Sequence, residues 1–168
     1  MVENGNSRDL TLLRRKLWIL CHRTSDLASR YMDYILTKQS GITYQQFLVL
    51  VILEQTNFQG TVGNIAEKLG RTQNTLSVLL DRMKRDGLVR KTRNLSDKRL
   101  VRVAVTEKGK KKLAESVDVG WNVIKDLISP LSEEEMSTMV QLIGRLETLT
   151  RERLMEIQLS KKRKIDLN

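Results

Sequence analysis

The amino-acid sequence predicts a mainly α-helical fold that carries one small β-hairpin. Long segments at both ends of the chain repeat apolar residues every three or four positions, which is the spacing of one helix face. The 168 residues include a single proline and only 4% aromatic side chains, a composition that suits a mostly helical protein. The middle of the chain differs, because two short helical patterns are followed there by two runs with β-strand character.

The first long helix is predicted over residues 9–40. Residues 1–8 are polar, and we expect them to form a frayed arm. The pair Ser40-Gly41 interrupts the apolar pattern and is predicted to end the helix. The apolar stripe of this helix consists of Leu13, Leu17, Leu20, Leu27, Tyr31 and Ile35. A stripe of this length needs an apolar partner surface.

A second, central helix is predicted to follow and to end near Gln55. Thr43 and Gln46 have the spacing of a capping box, in which side chains and backbone bond reciprocally at a helix N-terminus. Apolar residues cover a wide arc of this helix, so we expect it to be largely buried. Residues 57–60 are predicted to form a loop, and Thr61 is suited to cap the next helix.

A helix-turn-helix pattern occupies the segment that follows Thr61. Gly70 stands where a helix C-terminus favours a left-handed residue, and Thr72 can cap the second helix. The buried face of that helix is predicted from its apolar spacing: Leu76, Leu79, Leu80 and Met83. Its polar first turn therefore projects outward, as base recognition in a DNA major groove requires. An ordinary amphipathic surface helix is the alternative interpretation of this helix alone.

A β-hairpin is predicted directly after the helix-turn-helix. Gly87 ends the second helix, and residues 88–92 and 100–105 form the two strand-like runs. Turn-forming residues separate them, and the basic tip of the hairpin is Asp97, Lys98 and Arg99. The hairpin would hold this tip away from the body of the protein.

Two helices are predicted to complete the chain. Thr106 opens the first, and the pair Ser129-Pro130 ends it, because a residue before proline disfavours the helical conformation. Ser132 and Glu135 form a second capping box at the start of the last helix. Both helices carry an apolar stripe, which comprises Leu113, Val117, Trp121, Ile124 and Ile128, then Met136, Met139, Ile143, Leu146 and Leu149.

The formal net charge of +10 is concentrated in the middle of the chain. Residues 61–112 contain 15 lysines and arginines against five acidic residues, whereas the two flanks nearly cancel each other. A basic stretch beside a helix-turn-helix pattern favours a polyanionic partner over a merely solvated face. None of the seven aromatic residues lies in this stretch, so it lacks the stacking platforms of single-strand and RNA binders. Duplex DNA is the predicted partner.

The hairpin and its surroundings resemble winged helix-turn-helix regulators of the MarR type. Asp97-Lys98-Arg99, the strand after it and the Thr106-x-x-Gly109 pattern are similar to the wing signature of that family. The segment 79–89 likewise resembles the end of its recognition helix. The similarity in helix order extends over about residues 10–158.

The resemblance implies a single MarR-like unit that spans residues 1–168. Its DNA-binding lobe would occupy residues 42–105, and a helical dimerisation region would comprise 9–40 and 106–158. Residues 160–168 would form a solvated basic tail. Within one chain, the two terminal helices could instead pack only against each other.

The function implied by the resemblance is that of a homodimeric transcription regulator that binds a pseudo-palindromic duplex. We expect a repressor that responds to a small molecule or an oxidant. The alternative is a nucleoid-architectural protein that binds DNA without sequence preference. The predicted DNA-binding residues are Arg71, Thr72, Gln73, Asn74, Thr75, Ser77, Arg82, Asp97, Lys98 and Arg99.

A small apolar or aromatic effector is a further hypothesis. In the resembled fold, a cleft between the dimerisation helices and the DNA-binding lobe would be lined by aromatic and imidazole side chains. The candidates in this chain are Trp18, His22, Tyr44, Phe47 and Trp121. Aromatic residues at helical spacing also occur as ordinary core residues, which is the alternative.

Catalytic chemistry finds no support in the sequence. The only cysteine, Cys21, adjoins the only histidine, His22, and neighbours in a helix point about 100° apart and do not face each other. We expect Cys21 to be a buried, inert thiol, with a redox role as the alternative. No phosphate-binding loop or metal-ligand spacing is present, so neither enzyme activity nor a cofactor or metal is expected. The absence of a secretory signal or membrane-spanning run predicts a cytoplasmic protein.

Overall fold

A computed structural model describes residues 3–57, 59–93 and 101–166 of the chain. The predicted mainly helical fold with a small sheet is confirmed. In chain order, the elements are α1 (Glu3–Ser40), α2 (Tyr44–Glu54), β1 (Gln59–Thr61), α3 (Val62–Lys68), α4 (Gln73–Arg85), β2 (Val89–Arg93), β3 (Val101–Val105), α5 (Glu107–Ile128) and α6 (Glu133–Asp166). The chain divides into two compact units, Met1–Ile124 and Lys125–Asn168.

Helix α1 begins earlier than the sequence predicts. Its backbone is helical from Glu3, so the expected frayed arm is wrong for residues 3–8, where Gly5 costs only about 1 kcal/mol. The C-terminal end is confirmed at Ser40, because Gly41 has a φ of +69° and its N–H donates to the carbonyls of Leu36 and Thr37. Met32 and Leu36 are the buried apolar residues of the last turns of α1, and Ser40 at its end is also buried.

Helix α2 lies at the centre of the first unit. Its predicted capping box is confirmed: the Thr43 hydroxyl accepts from the Gln46 N–H, and Gln46 Oε1 accepts from the Thr43 N–H at 2.9 Å. Phe47, Val49, Leu50 and Leu53 are buried in the core, which explains the wide apolar arc.

The β-sheet has three strands, one more than the hairpin alone supplies. Gln59–Thr61 pairs antiparallel with β3, which also pairs antiparallel with β2, so the strand order is β1-β3-β2. The prediction that residues 57–60 form only a loop is therefore wrong for Gln59 and Gly60. A three-residue strand is too short to show alternation, and its hydrogen-bonding partner lies 43 residues away in the chain. Val103 and Val105 of β3 point into the core.

Helices α3 and α4 form the predicted helix-turn-helix. Thr61 and Thr72 are the N-caps of α3 and α4, and each hydroxyl accepts from a backbone N–H three residues later. Gly70 has a φ of +60°, as expected for the turn that follows α3. Leu76, Leu80 and Met83 are buried, so the apolar stripe of α4 faces the core.

Helices α5 and α6 agree with the predicted order of elements. Thr106 precedes α5, and the Thr106 hydroxyl accepts from the Gly109 N–H. At the start of α6, the Ser132 N–H donates to Glu135 Oε2 at 2.8 Å, and the Glu135 N–H donates to the Ser132 hydroxyl. The hydrogen bond from the Ser132 N–H to the carboxylate is the main cause that holds the pKa of Glu135 below its usual value. In the part of the chain that the structure describes, no helix is long and apolar enough to cross a membrane.

Candidate nucleic-acid interface

The N-terminal end of α4 presents a polar surface to solvent. Its apolar face packs into the core, so the residues of the turn and first helical turn are turned outward. Ser77 is half-buried, and Arg82 is exposed two turns further along. The exposed residues of this end are Arg71, Thr72, Gln73, Asn74 and Thr75. Seven of the ten predicted DNA-binding residues thus lie on α4 or in the turn before it.

Two of these residues hold the helix end in place. The Thr72 hydroxyl accepts from the Thr75 N–H at 3.2 Å, and the Thr72 and Thr75 hydroxyl oxygens lie 2.9 Å apart. Thr72 therefore satisfies one of the backbone donors that every helix N-terminus leaves unpaired. Its first contribution to the site is geometric, because it fixes the turn that carries Gln73 and Asn74.

An ion pair joins α4 to the strand that follows it. Lys91 Nζ on β2 lies 2.7 Å from Asp81 Oδ1 on α4, and the hydrogen bond holds the pKa of Asp81 below its usual value. Asp81 belongs to the outward face of α4, whereas the Lys91 side chain is only 17% exposed. The pair neutralises an acidic group beside the polar surface. Helical periodicity is enough to put Asp81 on this face, but no local pattern in the sequence indicates its partner ten residues later.

The base of the hairpin is packed tightly against α5. The Thr106 hydroxyl donates to Gly87 O at 2.5 Å and also lies 3.1 Å from Leu88 O, and the Thr106 N–H donates to Leu88 O at 3.1 Å. A Cβ at Gly109 would lie 2.2 Å from Leu88 O, so only glycine allows this approach. The Thr-x-x-Gly spacing noted in the sequence is explained by this contact. The predicted tip residues Asp97, Lys98 and Arg99 lie outside the described residues.

A separate cavity of about 700 Å³ lies between the C-terminal half of α1 and the start of α2. Its lining residues are Ser29, Arg30, Asp33, Tyr34, Thr37, Lys38, Tyr44 and Gln45. Inside its wall, Asp33 Oδ1 accepts from the Tyr44 N–H at 2.8 Å. Its lining combines two cationic side chains, Arg30 and Lys38, with one carboxylate and two tyrosines.

The single chain brings few of the predicted effector residues together. Tyr44 lines the cavity, but Phe47 is buried in the core, where its ring packs against Gly120 of α5. Trp18, His22 and Trp121 are exposed. The effector role of these five residues stays a prediction.

The expectation of a buried Cys21 is wrong for the single chain. Cys21 is exposed on α1, and so is every other residue of that helix from 9 to 27. Among the described residues, no group of three or more His, Cys, Asp or Glu side chains could hold a metal ion.

The exposed polar end of α4, the tight turn before it and the hairpin packed behind it define a winged helix-turn-helix protein. Residues 31–116 match the family model described as Transcriptional regulator SarA/Rot, and the chain belongs to this family. The matched segment runs from the last turns of α1 into α5 and includes the helix-turn-helix and the hairpin. The chain is therefore a DNA-binding transcriptional regulator, and the predicted MarR-type winged-helix fold is confirmed.

Individual relatives are also regulators. The transcriptional regulator HosA of Escherichia coli O157:H7 is 37% identical over 75 residues, which span 45% of this chain and only 56% of that regulator. The organic hydroperoxide resistance transcriptional regulator of Bacillus subtilis (strain 168) is 29% identical over 144 residues, 86% of this chain and 93% of its own length.

Solved structures share the fold. The organohalide-sensing regulator RdhR in its 2,4-dichlorophenol-bound form has a TM-score of 0.77 and 22% identity, with 89% of each chain covered. A mutant of MarR from Escherichia coli complexed with operator DNA has a TM-score of 0.64 and 24% identity, covering 78% of this chain and 95% of that one.

Proposed function

We propose that the chain is a homodimeric transcription repressor that binds a specific inverted-repeat duplex and is released from it by a small molecule or an oxidant. The observation that carries the proposal is the exposed polar end of α4, whose opposite face is locked into the core. A helix held in this way can enter a major groove, and the amide groups of Gln73 and Asn74 suit base edges.

The wing completes the proposed interface. The base of the hairpin is held by Thr106 and Gly109, and its two strands lead toward the tip residues. We propose that Arg99 enters a minor groove beside the major groove occupied by α4. In this proposal Asp97 accepts a hydrogen bond from the Arg99 guanidinium and holds it extended, and Lys98 also contacts the DNA.

Exposed apolar side chains support the homodimer. On α1, Leu10, Leu13, Leu17, Leu20 and Leu27 are exposed. On α6, the exposed apolar residues include Met139, Val140, Leu142, Ile143, Leu146 and Leu149. Stripes of this extent are found at protein interfaces, and a second copy of the chain would bury them across a two-fold axis.

The proposed release by an effector rests on relatives and on the cavity. One relative is named for organic hydroperoxide resistance, and one structure that shares the fold contains 2,4-dichlorophenol. The cavity at α1 and α2 is of a size that a small aromatic molecule would occupy. The proposal includes no enzymatic step and no cofactor, and it places the protein with DNA in the cytoplasm.

Selection of bound fragments from a pool of random duplexes tests the proposal. We expect an enriched inverted repeat with half-sites about 10 base pairs apart, because two-fold related helices meet DNA about one turn apart. Competition with unselected duplex then separates a specific regulator from an architectural protein, since specific binders commonly prefer their site by about 10³ or more. A pool that stays unenriched would contradict the repressor and favour the architectural alternative.

A further inference from the structure

The C-terminal end of the recognition helix, α4, is held by side chains from two other helices. Asp86 is the C-cap of α4. Its Oδ2 accepts a hydrogen bond from Gln46 Nε2 on α2 at 3.0 Å, and its backbone carbonyl accepts one from Lys108 Nζ on α5 at 2.7 Å. The N-terminal end of the same helix is held by its own cap, Thr72. These two side-chain hydrogen bonds to neighbouring helices lie at the end of α4 that is away from the proposed DNA contacts.

The side-chain amide of Gln46 makes two hydrogen bonds, one through each of its polar atoms. It is only 9% exposed, and its Oε1 already accepts from the Thr43 N–H in the capping box of α2. The Nε2 group would otherwise be a buried donor without a partner, which is costly. Asp86 supplies that partner across 40 residues of sequence. The amide therefore joins the start of α2 to the end of α4.

We propose that Gln46 is a positioning residue for DNA recognition, which sets the angle of α4 through Asp86. This inference rests on the proposed role of α4 in reading DNA. The 13 residues of α4 span about 20 Å, so a tilt of about 5° at Asp86 moves the N-terminal end by about 1.7 Å. Hydrogen bonds to base edges do not survive such a displacement, whereas the electrostatic attraction between basic side chains and phosphates changes little.

The position of Gln46 also brings this tie close to the cavity. Tyr44 and Gln45, directly before it, line the cavity, and the Tyr44 N–H is bonded to Asp33 in the cavity wall. The first turn of α2 therefore contains both residues that line the cavity and the residue that bonds to the end of α4.

The substitution Gln46→Glu removes the tie while it preserves the cap. A carboxylate at this position still accepts from the Thr43 N–H, because glutamate and glutamine both serve in capping boxes. Its second oxygen, however, faces Asp86 Oδ2 across the 3.0 Å contact, where two acceptors repel each other. We expect affinity for the duplex selected with the wild-type protein to fall by about tenfold, the scale of one hydrogen bond. Affinity for an unselected duplex should change much less.

The double substitution Gln46→Glu with Asp86→Asn restores a hydrogen bond in which donor and acceptor are exchanged. The introduced amide donates to the introduced carboxylate, and the net charge equals that of the wild type. We expect the ratio of selected to unselected affinity to return toward the wild-type value. Gln39→Glu, at an exposed position on α1, is the control for the addition of one negative charge. If Gln46 contributed only to stability, Gln46→Glu would lower the melting temperature but would leave the ratio of selected to unselected affinity unchanged.

A failure of the Gln46 inference can be distinguished from a failure of the proposed function. If the folded Gln46→Glu protein keeps the wild-type ratio, or if the double substitution fails to restore it, Gln46 does not position α4. If Gln46→Glu does not fold, Asp86→Ala replaces it, because Asp86 is exposed and this change leaves the capping box intact. We then expect Asp86→Ala to lower the ratio of selected to unselected affinity in the same way. If this ratio stays at the wild-type value, the inference is wrong. If the wild-type protein selects no duplex, the proposed function itself fails.

Discussion

At the scale of single residues, Asn74 is expected to read bases. It is exposed in the first turn of α4, behind which the core fixes the helix. Asn74→Ala should weaken binding to the selected duplex by about 1–3 kcal/mol and binding to unselected duplex far less. Fluorescence anisotropy with both duplexes measures this difference. Asn122→Ala, at an exposed position on α5, is the matched control, and equal losses on both duplexes would place Asn74 on the DNA backbone.

The pair of Lys91 and Asp81 leads to a second prediction at this scale. Lys91→Met leaves an ionised carboxylate uncompensated on the outward face of α4, so DNA affinity should fall. The Asp81 side chain is exposed, and an exposed aspartate is ionised at neutral pH without a cationic partner, so the charge remains when Lys91 is replaced. Adding Asp81→Asn to Lys91→Met should recover most of the loss in the same titrations. If the double substitution binds no better than Lys91→Met alone, Lys91 acts by contacting DNA directly.

At the scale of secondary-structure elements, the contact between the hairpin and α5 controls stability. Gly109→Ala would place a Cβ 2.2 Å from Leu88 O, where backbone must shift to make room. We expect a loss of about 1–3 kcal/mol in the free energy of unfolding, the usual cost of overpacking. Urea denaturation measures it.

Gly144 supplies the contrast for that experiment. A Cβ at Gly144, inside α6, would meet no atom within 4 Å. Gly144→Ala should therefore raise the stability of its helix by about 0.5–1 kcal/mol, because alanine loses less entropy in a helix than glycine. If Gly109→Ala and Gly144→Ala changed the free energy of unfolding equally, the close approach to Leu88 O would not be what disfavours a side chain at position 109.

At the scale of the whole molecule, we predict a dimer that depends on the apolar face of α6. Leu146 is 48% exposed in the single chain. Leu146→Glu should produce a monomer by light scattering, since burying a charge against an apolar partner surface is unfavourable. Gln141→Glu, at an exposed position on the other side of α6, should leave the dimer intact. A wild-type protein that is already monomeric at micromolar concentration would contradict the proposed homodimer.

Salt dependence is the second property of the whole molecule. The basic segment 61–112 would displace condensed counterions when it contacts phosphates. For six to ten such contacts, affinity should fall by about 10³ or more between about 50 and 200 mM salt. Titrations at four salt concentrations give the slope. A flat response would mean that the basic residues face away from the DNA.

The sequence alone determined the elements whose causes are local. The caps at Thr43, Thr61, Thr72 and Ser132 follow from side chains that bond backbone within three residues, and the stripe of α4 follows from helical periodicity. The order of helices and the hairpin could be predicted for the same reason, and so could the outward placement of the polar end of α4.

The tertiary structure decided everything that depends on partners distant in sequence. Strand β1 exists because β3 offers it hydrogen bonds, and the bond from Gln46 to Asp86 crosses 40 residues. Neither has a local signature, because each is set by how the helices and the sheet pack together. Cys21 is exposed for a related reason: its apolar neighbours on α1 form a stripe that periodicity predicts, but only packing decides whether that stripe is covered.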